Sequence, residues 1–144
     1  MSEFSSQKSP SLEGAVIDVP DKIWGFYVAN RMDHPGAVVR VDREVNRAVL
    51  TKGTDAKSRG VRGMKNPYVV FPDEENGLSK ETVFELVPVS FRVRRVELLE
   101  KDRRRGALGR SDLVAMQAEL ERIFAVEEVT VNCGDALPVE EGAE

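Results

Sequence analysis

This sequence is poor in the residues that most metal and redox chemistry requires. It holds one cysteine, Cys133, so no internal disulfide and no multi-cysteine zinc site can form. A single histidine, His34, excludes HExxH zinc sites and any centre that needs two imidazoles. With no second histidine to activate it, Cys133 near the acidic C-terminal stretch is a poor candidate for a thiol nucleophile. No apolar run approaches the roughly 18 residues that span a bilayer. The first residues carry an early Lys8 with no apolar stretch behind it, so they do not read as a secretory leader, and a cytoplasmic protein without membrane contact is expected. Neither GxGxxG nor GxxxxGK[ST] occurs, which argues against nucleotide-binding α/β folds. Metal-free acid–base chemistry, a hard cation held by carboxylates, or binding alone remain.

What is present is charge, sharply segregated. The 144 residues leave room for one domain, and 32% of them are charged. The net charge of −4 conceals two basic segments: residues 31–65 hold nine basic groups against four acidic, and residues 92–110 hold eight against three. Residues 111–144 carry Arg122 against nine acids. Local potential rather than total charge steers a polyanion, so the basic segments can form a phosphate-attracting face. Equally, they can be solvated surface.

Residues 1–13 are Ser-rich and polar, with too little apolar content to order themselves. Ile23 to Val28 suits a buried strand, and Asn30–Gly36 reads as a loop in which Pro35 extends the backbone at His34. Ala37–Val41 and Arg47–Thr51 form an antiparallel pair around the Asp42–Asn46 turn. Residues 52–66 lack periodicity and hold three glycines, which marks a flexible basic loop. Tyr68–Phe71, Thr82–Val87 and Val89–Leu98 supply further strands, with Phe91, Val93 and Val96 facing a core. Ser111 is placed to cap a helix in which Leu113, Met116, Leu120 and Phe124 recur at helical spacing. EEVTVN, at 127–132, is a candidate edge strand. Six short strands followed by one helix, without βαβ alternation, predict a mainly β fold: a small antiparallel barrel or curled sheet with a C-terminal helix.

His34 is the one side chain of the type that serves as acid and base in neutral-pH chemistry, and it lies between Asp33 and the strand that follows. Taken singly, such a histidine is more often plain surface than catalyst. Thr54 follows Gly53 at a strand–loop junction, where a hydroxyl can donate to a phosphate oxygen or merely shape a turn. Lys52, Lys57, Arg59 and Arg62 can add phosphate contacts. Asp73, Glu74 and Glu75 are the tightest carboxylate cluster, in a segment that reads as a solvated turn. Trp24, Phe26 and Tyr27 can stack on bases or fill a core.

Four stretches stand in a telling order: HPGAVVRVD, AVLTKGTDAKS, NGLSKETVFEL and ALGRSDLVAMQAELERIF. Together, over about residues 22–126, they resemble the PemK/MazF-like toxins of type II toxin–antitoxin systems. The resemblance implies a small SH3-like antiparallel barrel with a C-terminal helix and a metal-independent endoribonuclease acting on single-stranded RNA, with no cofactor. It divides the chain into an N-terminal flexible segment at 1–20, a barrel domain at 21–126 and an acidic tail at 127–144. His34 stands at the pre-proline position, where the family usually has Arg, and Thr54 at the junction threonine. The catalytic set it implies is His34, Thr54 and the upstream Arg31, with Lys52, Asp55, Lys57, Ser58, Arg59 and Arg62 binding substrate. A cognate antitoxin and a homodimer are the implied partners. His34 in place of Arg keeps a second reading open: a non-catalytic barrel module binding nucleic acid or a protein. A third is a purely structural interaction protein with solvated basic segments.

Overall fold

In the computed structural model, which describes residues 11–25 and 33–124, the strands arise where short β-branched and aromatic runs alternate between two buried faces. In chain order the elements are β1 (Ala15–Pro20), α1 (Asp21–Trp24), β2 (Asp33–Asp42), β3 (Arg47–Asp55), a 3-10 turn (Arg59–Gly63), β4 (Pro67–Val70), β5 (Thr82–Phe91), α2 (Val93–Arg103), β6 (Arg104–Ala107) and α3 (Arg110–Phe124). The strands form one antiparallel sheet in the order β4-β5-β3-β2-β1-β6, and the fold is mainly β with a C-terminal helix, as expected. Register shifts in the β1–β6, β2–β3 and β3–β5 ladders bend the sheet into a half-barrel.

The outer edge of β6 meets the turn between β4 and β5. Ala107 N–H donates to the Glu75 carbonyl at 2.8 Å, and a Cβ on Gly106 would stand 2.2 Å from that oxygen, so only glycine admits the approach. The turn is held from within by Asn76, fully buried, which donates to the Phe71 carbonyl and accepts from the Asp73 and Leu78 amides. Asp73 in turn accepts the amides of Glu75 and Asn76. The Asp73–Glu75 cluster therefore builds a turn, and among the described residues no group of three His, Cys, Asp or Glu is placed to hold a metal.

Each face of the sheet has its own core. Ala15, Ile17, Val19, Val38, Ala48 and Leu50 pack with Trp24 and Phe91 under α2, which contributes Val93 and Val96. Val16, Ala37, Val39, Phe84 and Leu86 pack on the other face with Met116 of α3. Fully burying an aliphatic side chain stabilises by about 1.5–3 kcal/mol, so both helices are fixed mainly by apolar area.

Several elements differ from expectation. Residues 15–20 fall in the segment expected to be flexible, yet Ala15, Val16, Ile17 and Val19 are fully buried in β1, between β2 and β6. Ile23 and Trp24 belong to the short helix α1, which Gly25 ends at φ 95°, rather than to a strand. His34 and Pro35 lie in β2 rather than a loop. The strand expected over Val89–Leu98 stops at Phe91 and α2 begins at Val93, because Val93, Val96 and Leu99 recur every three residues. α3 starts at Arg110, with the Leu113 amide donating to the Gly109 carbonyl, so Ser111 lies inside the first turn and does not cap it. The expected basic loop is strand as far as Asp55 and then carries the 3-10 turn. Arg31, Phe26, Tyr27, Cys133, the edge strand at 127–132 and the tail at 127–144 lie outside the described residues. No helix among the described residues is long and apolar enough to cross a membrane.

Candidate active site

The site forms at one end of the sheet, on the face covered by α2. Pro20 ends β1 in extended conformation and the chain turns at once into α1, which places Asp21 and Trp24 beside the start of β2. The β1–β2 register pairs Val19 with His34. Asp21 thereby reaches His34, and its Oδ1 is hydrogen-bonded to the imidazole Nδ1. The Asp21 side chain is only 4% exposed while that of His34 is 22% exposed, so the carboxylate is sealed in and the ring still meets solvent. From the same helix, Trp24 Nε1–H donates to the His34 carbonyl at 3.4 Å, and the indole stands edge-on to Phe91 with ring centroids 5.9 Å apart. Gly36 makes room for this arrangement: a Cβ there would lie 3.0 Å from the Trp24 ring and from Leu50.

Thr54 comes in from β3. The last paired residues of the β2–β3 ladder are Gly36 and Lys52, so His34 and Thr54 each lie two residues beyond the end of that ladder, on adjacent strands. Thr54 is 7% exposed and pairs with Val83 of β5 on its other side. Val19 with His34 on one side, and Thr54 with Val83 on the other, form the two paired steps of a row at this end of the sheet. Lys52, half-buried, stands one step back on the same strand face.

Beyond Thr54 the chain enters the basic turn. Asp55 Oδ1 accepts the Lys57 amide at 3.0 Å and its Oδ2 pairs with Lys80 Nζ at 3.2 Å. The Lys57 amide first, and the Lys80 ammonium after it, hold the Asp55 carboxyl below the usual carboxylate range. Ser58 Oγ accepts the Gly60 amide at 3.2 Å and caps the 3-10 turn. Asp55 and Ser58, expected to bind substrate, are therefore engaged in shaping the loop. Lys57, Arg59 and Arg62 are all exposed beside the end of β3. Asp33, next to His34, is neutralised by Arg103 of α2 at 3.0 Å.

Sequence reasoning misses Asp21. Its role depends on the β1–β2 register, and a carboxylate thirteen residues before the histidine carries no spacing signal of its own. An apolar groove of about 440 Å³ lies elsewhere, lined by Val39, Val49, Pro88, Leu120 and Phe124, with Arg40 and Glu121 paired at 2.9 Å on its rim. Its ionisable groups, Arg40 and Glu121, are held against each other as an ion pair. Chemically, the Asp21–His34–Thr54 row supplies a held imidazole, a hydroxyl on the adjacent strand and the cations of the basic turn, the parts from which proton transfer at a phosphate ester can be built. Comparison with family models, with curated proteins and with solved structures gave no match to this chain.

Proposed function

We propose that this protein is a metal-independent endoribonuclease of the PemK/MazF-like toxin type, which cleaves single-stranded RNA by attack of a ribose 2′-hydroxyl on its own phosphodiester. The observation that carries this reading is the buried Asp21 carboxylate bonded to a solvent-reaching His34, on the strand adjacent to that of Thr54. His34 takes the 2′-hydroxyl proton as the 2′-oxygen–phosphorus bond forms, and returns it to the 5′-oxygen as the phosphorus–O5′ bond breaks. The products are a 2′,3′-cyclic phosphate and a 5′-hydroxyl. Thr54 donates to a non-bridging phosphoryl oxygen, where charge accumulates in the transition state. Lys57, Arg59 and Arg62 draw in the RNA backbone without reading its bases. The nucleophile belongs to the substrate, so the chemistry calls for no activated side-chain nucleophile. A cognate antitoxin covering the basic face, and a homodimer, belong to the same proposal.

The test is incubation of the purified protein with single-stranded RNA in excess EDTA, with products resolved by their end groups. Cleavage with cyclic-phosphate ends, lost in His34→Ala and in Thr54→Val, supports the reading; equal cleavage by both variants removes the site. His34 in place of the family's usual Arg favours a second reading, a barrel that binds nucleic acid without cutting it. Salt-sensitive RNA binding with intact RNA recovered after the incubation selects that one.

A further inference from the structure

We infer that Asp21 is a positioning residue: it fixes His34 as the Nδ1–H tautomer, so that Nε2 is the ring nitrogen presented to substrate. The inference deepens the ribonuclease reading and rests on it for its catalytic part, while the tautomer itself is a property of the protein alone. A neutral imidazole has one donor and one acceptor nitrogen, and the bond made by one sets the role of the other. Here Nδ1 is bonded to Oδ1 of a carboxylate that is 4% exposed. An ionised carboxylate only accepts, so Nδ1 must carry the hydrogen and Nε2 must carry the lone pair.

The backbone around the ring points to the same role. α1 holds His34 at two points, through Asp21 on the side chain and through Trp24 Nε1–H on the carbonyl. Its approach depends on Gly36, where a Cβ would meet Trp24 at 3.0 Å. Val19 pairs with His34 and belongs to the core beneath α2, so the dyad stands on the buried sheet rather than on a loop. The Trp24 bond holds the His34 backbone and the Asp21 bond holds its ring, the fixed placement that general-base geometry demands.

His34 is the sole histidine of the chain, so its ring nitrogens can be assigned without ambiguity in uniformly 15N-labelled full-length protein. With the wild-type imidazole neutral, the expected spectrum has a protonated Nδ1 and an unprotonated Nε2. Asp21→Asn keeps the volume but offers an amide that can donate to Nδ1, and the expected spectrum moves toward the Nε2–H form. RNA cleavage by Asp21→Asn is expected to fall by about 10²–10⁴ in kcat, as for loss of the orienting carboxylate in a catalytic triad, with KM changed less than about threefold. Wild-type protein whose neutral ring carries its proton on Nε2 overturns the inference, whether or not the variant folds. A variant with the wild-type kcat overturns it too. Wild-type protein that cuts no RNA yet shows the Nδ1–H tautomer refutes the ribonuclease reading and still supports the assignment of Asp21.

Discussion

Two neighbouring regions of this molecule carry the groups that a phosphate chemistry would use, and they are built in opposite ways. The Asp21–His34–Thr54 row is set in strand and helix, with Asp21 and Thr54 almost sealed from water. The basic turn that follows it carries Lys57, Arg59 and Arg62 in solvent, shaped by Asp55 and Ser58 bonds to its own backbone. Geometry lives in the first region and charge in the second. Exposed cations attract a polyanion but do not orient it, since each keeps most of its side-chain freedom. A buried, hydrogen-bonded pair has already lost that freedom on folding. Changes in the row should therefore alter kcat, and changes in the turn should alter KM and its salt dependence.

The largest expected effect is that of His34→Ala. Loss of a positioned acid–base group lowers the cleavage rate by about 10²–10⁴. The same substitution leaves the buried Asp21 carboxylate without its hydrogen-bond partner, and an unsatisfied buried acceptor costs about 1–3 kcal/mol. Chemical denaturation of His34→Ala, Asp21→Ala and the double variant separates the two consequences. The double variant should recover much of the stability and none of the cleavage. If it regains cleavage as well, the row is structural and the contrast between the two regions fails.

Thr54→Val comes next. Valine keeps the shape but not the hydroxyl at a site that is 7% exposed, so stability is measured beside activity. Loss of a donor to the developing oxyanion lowers kcat by about 10²–10³. Weaker RNA binding with unchanged kcat would move Thr54 from the first region's role to the second's.

The two regions are unevenly legible in the sequence, for physical reasons. The hairpin formed by β2 and β3 is plain, since AVVRV and RAVLT are β-branched runs around a polar turn. The amphipathic stripe of α3 is equally plain, because Leu113, Met116 and Leu120 recur on one face. α2 reads as strand because Phe91, Arg92 and Val93 continue an alternation, and only the step from Val93 to Val96 breaks it. β1 is hidden because its apolar run is short and abuts a polar Ser-rich stretch. His34 and Thr54 stand out as residue types at punctuated positions. Their partner Asp21 does not, because a carboxylate becomes informative only when strand pairing decides what it touches. Local pattern specifies elements; register, which is tertiary, specifies the site.

In the basic turn a smaller and different effect is expected. Replacing Arg59 and Arg62 by alanine should leave kcat at saturating RNA unchanged and weaken binding. For single-stranded RNA the slope of log K against log salt should become shallower by about 0.7 for each phosphate that the variant no longer neutralises. Measuring RNA binding from low to moderate salt in the His34→Ala background keeps the RNA intact. An unchanged slope would show that these cations serve solubility and not RNA.

The smallest effect provides a control on the other face of the sheet. Tyr68 of β4 donates its hydroxyl to Asp112 Oδ1 of α3 at 2.8 Å, beside the core of the face that α3 covers. Burial first, and then the hydrogen bond and the charge of Asp112, push the Tyr68 phenol up to about 12 from its ordinary value of 10.0. A folded-state pKa above the unfolded value means that the native state holds the proton more tightly. The contribution to stability is therefore complete below about pH 10 and declines as pH rises toward about 12. Tyr68→Phe should cost about 0.5–1.5 kcal/mol at neutral pH, the net value of one such hydrogen bond. Tyr68 is only partly buried, so solvent screening keeps its pH dependence smaller than the shift alone implies. The stability gap between wild type and variant should stay constant from about pH 7 to 9 and narrow above about pH 10, while RNA cleavage at neutral pH is unaltered. A loss of cleavage in Tyr68→Phe comparable to that in Thr54→Val would mean that stability, and not the geometry of the row, limits the activity.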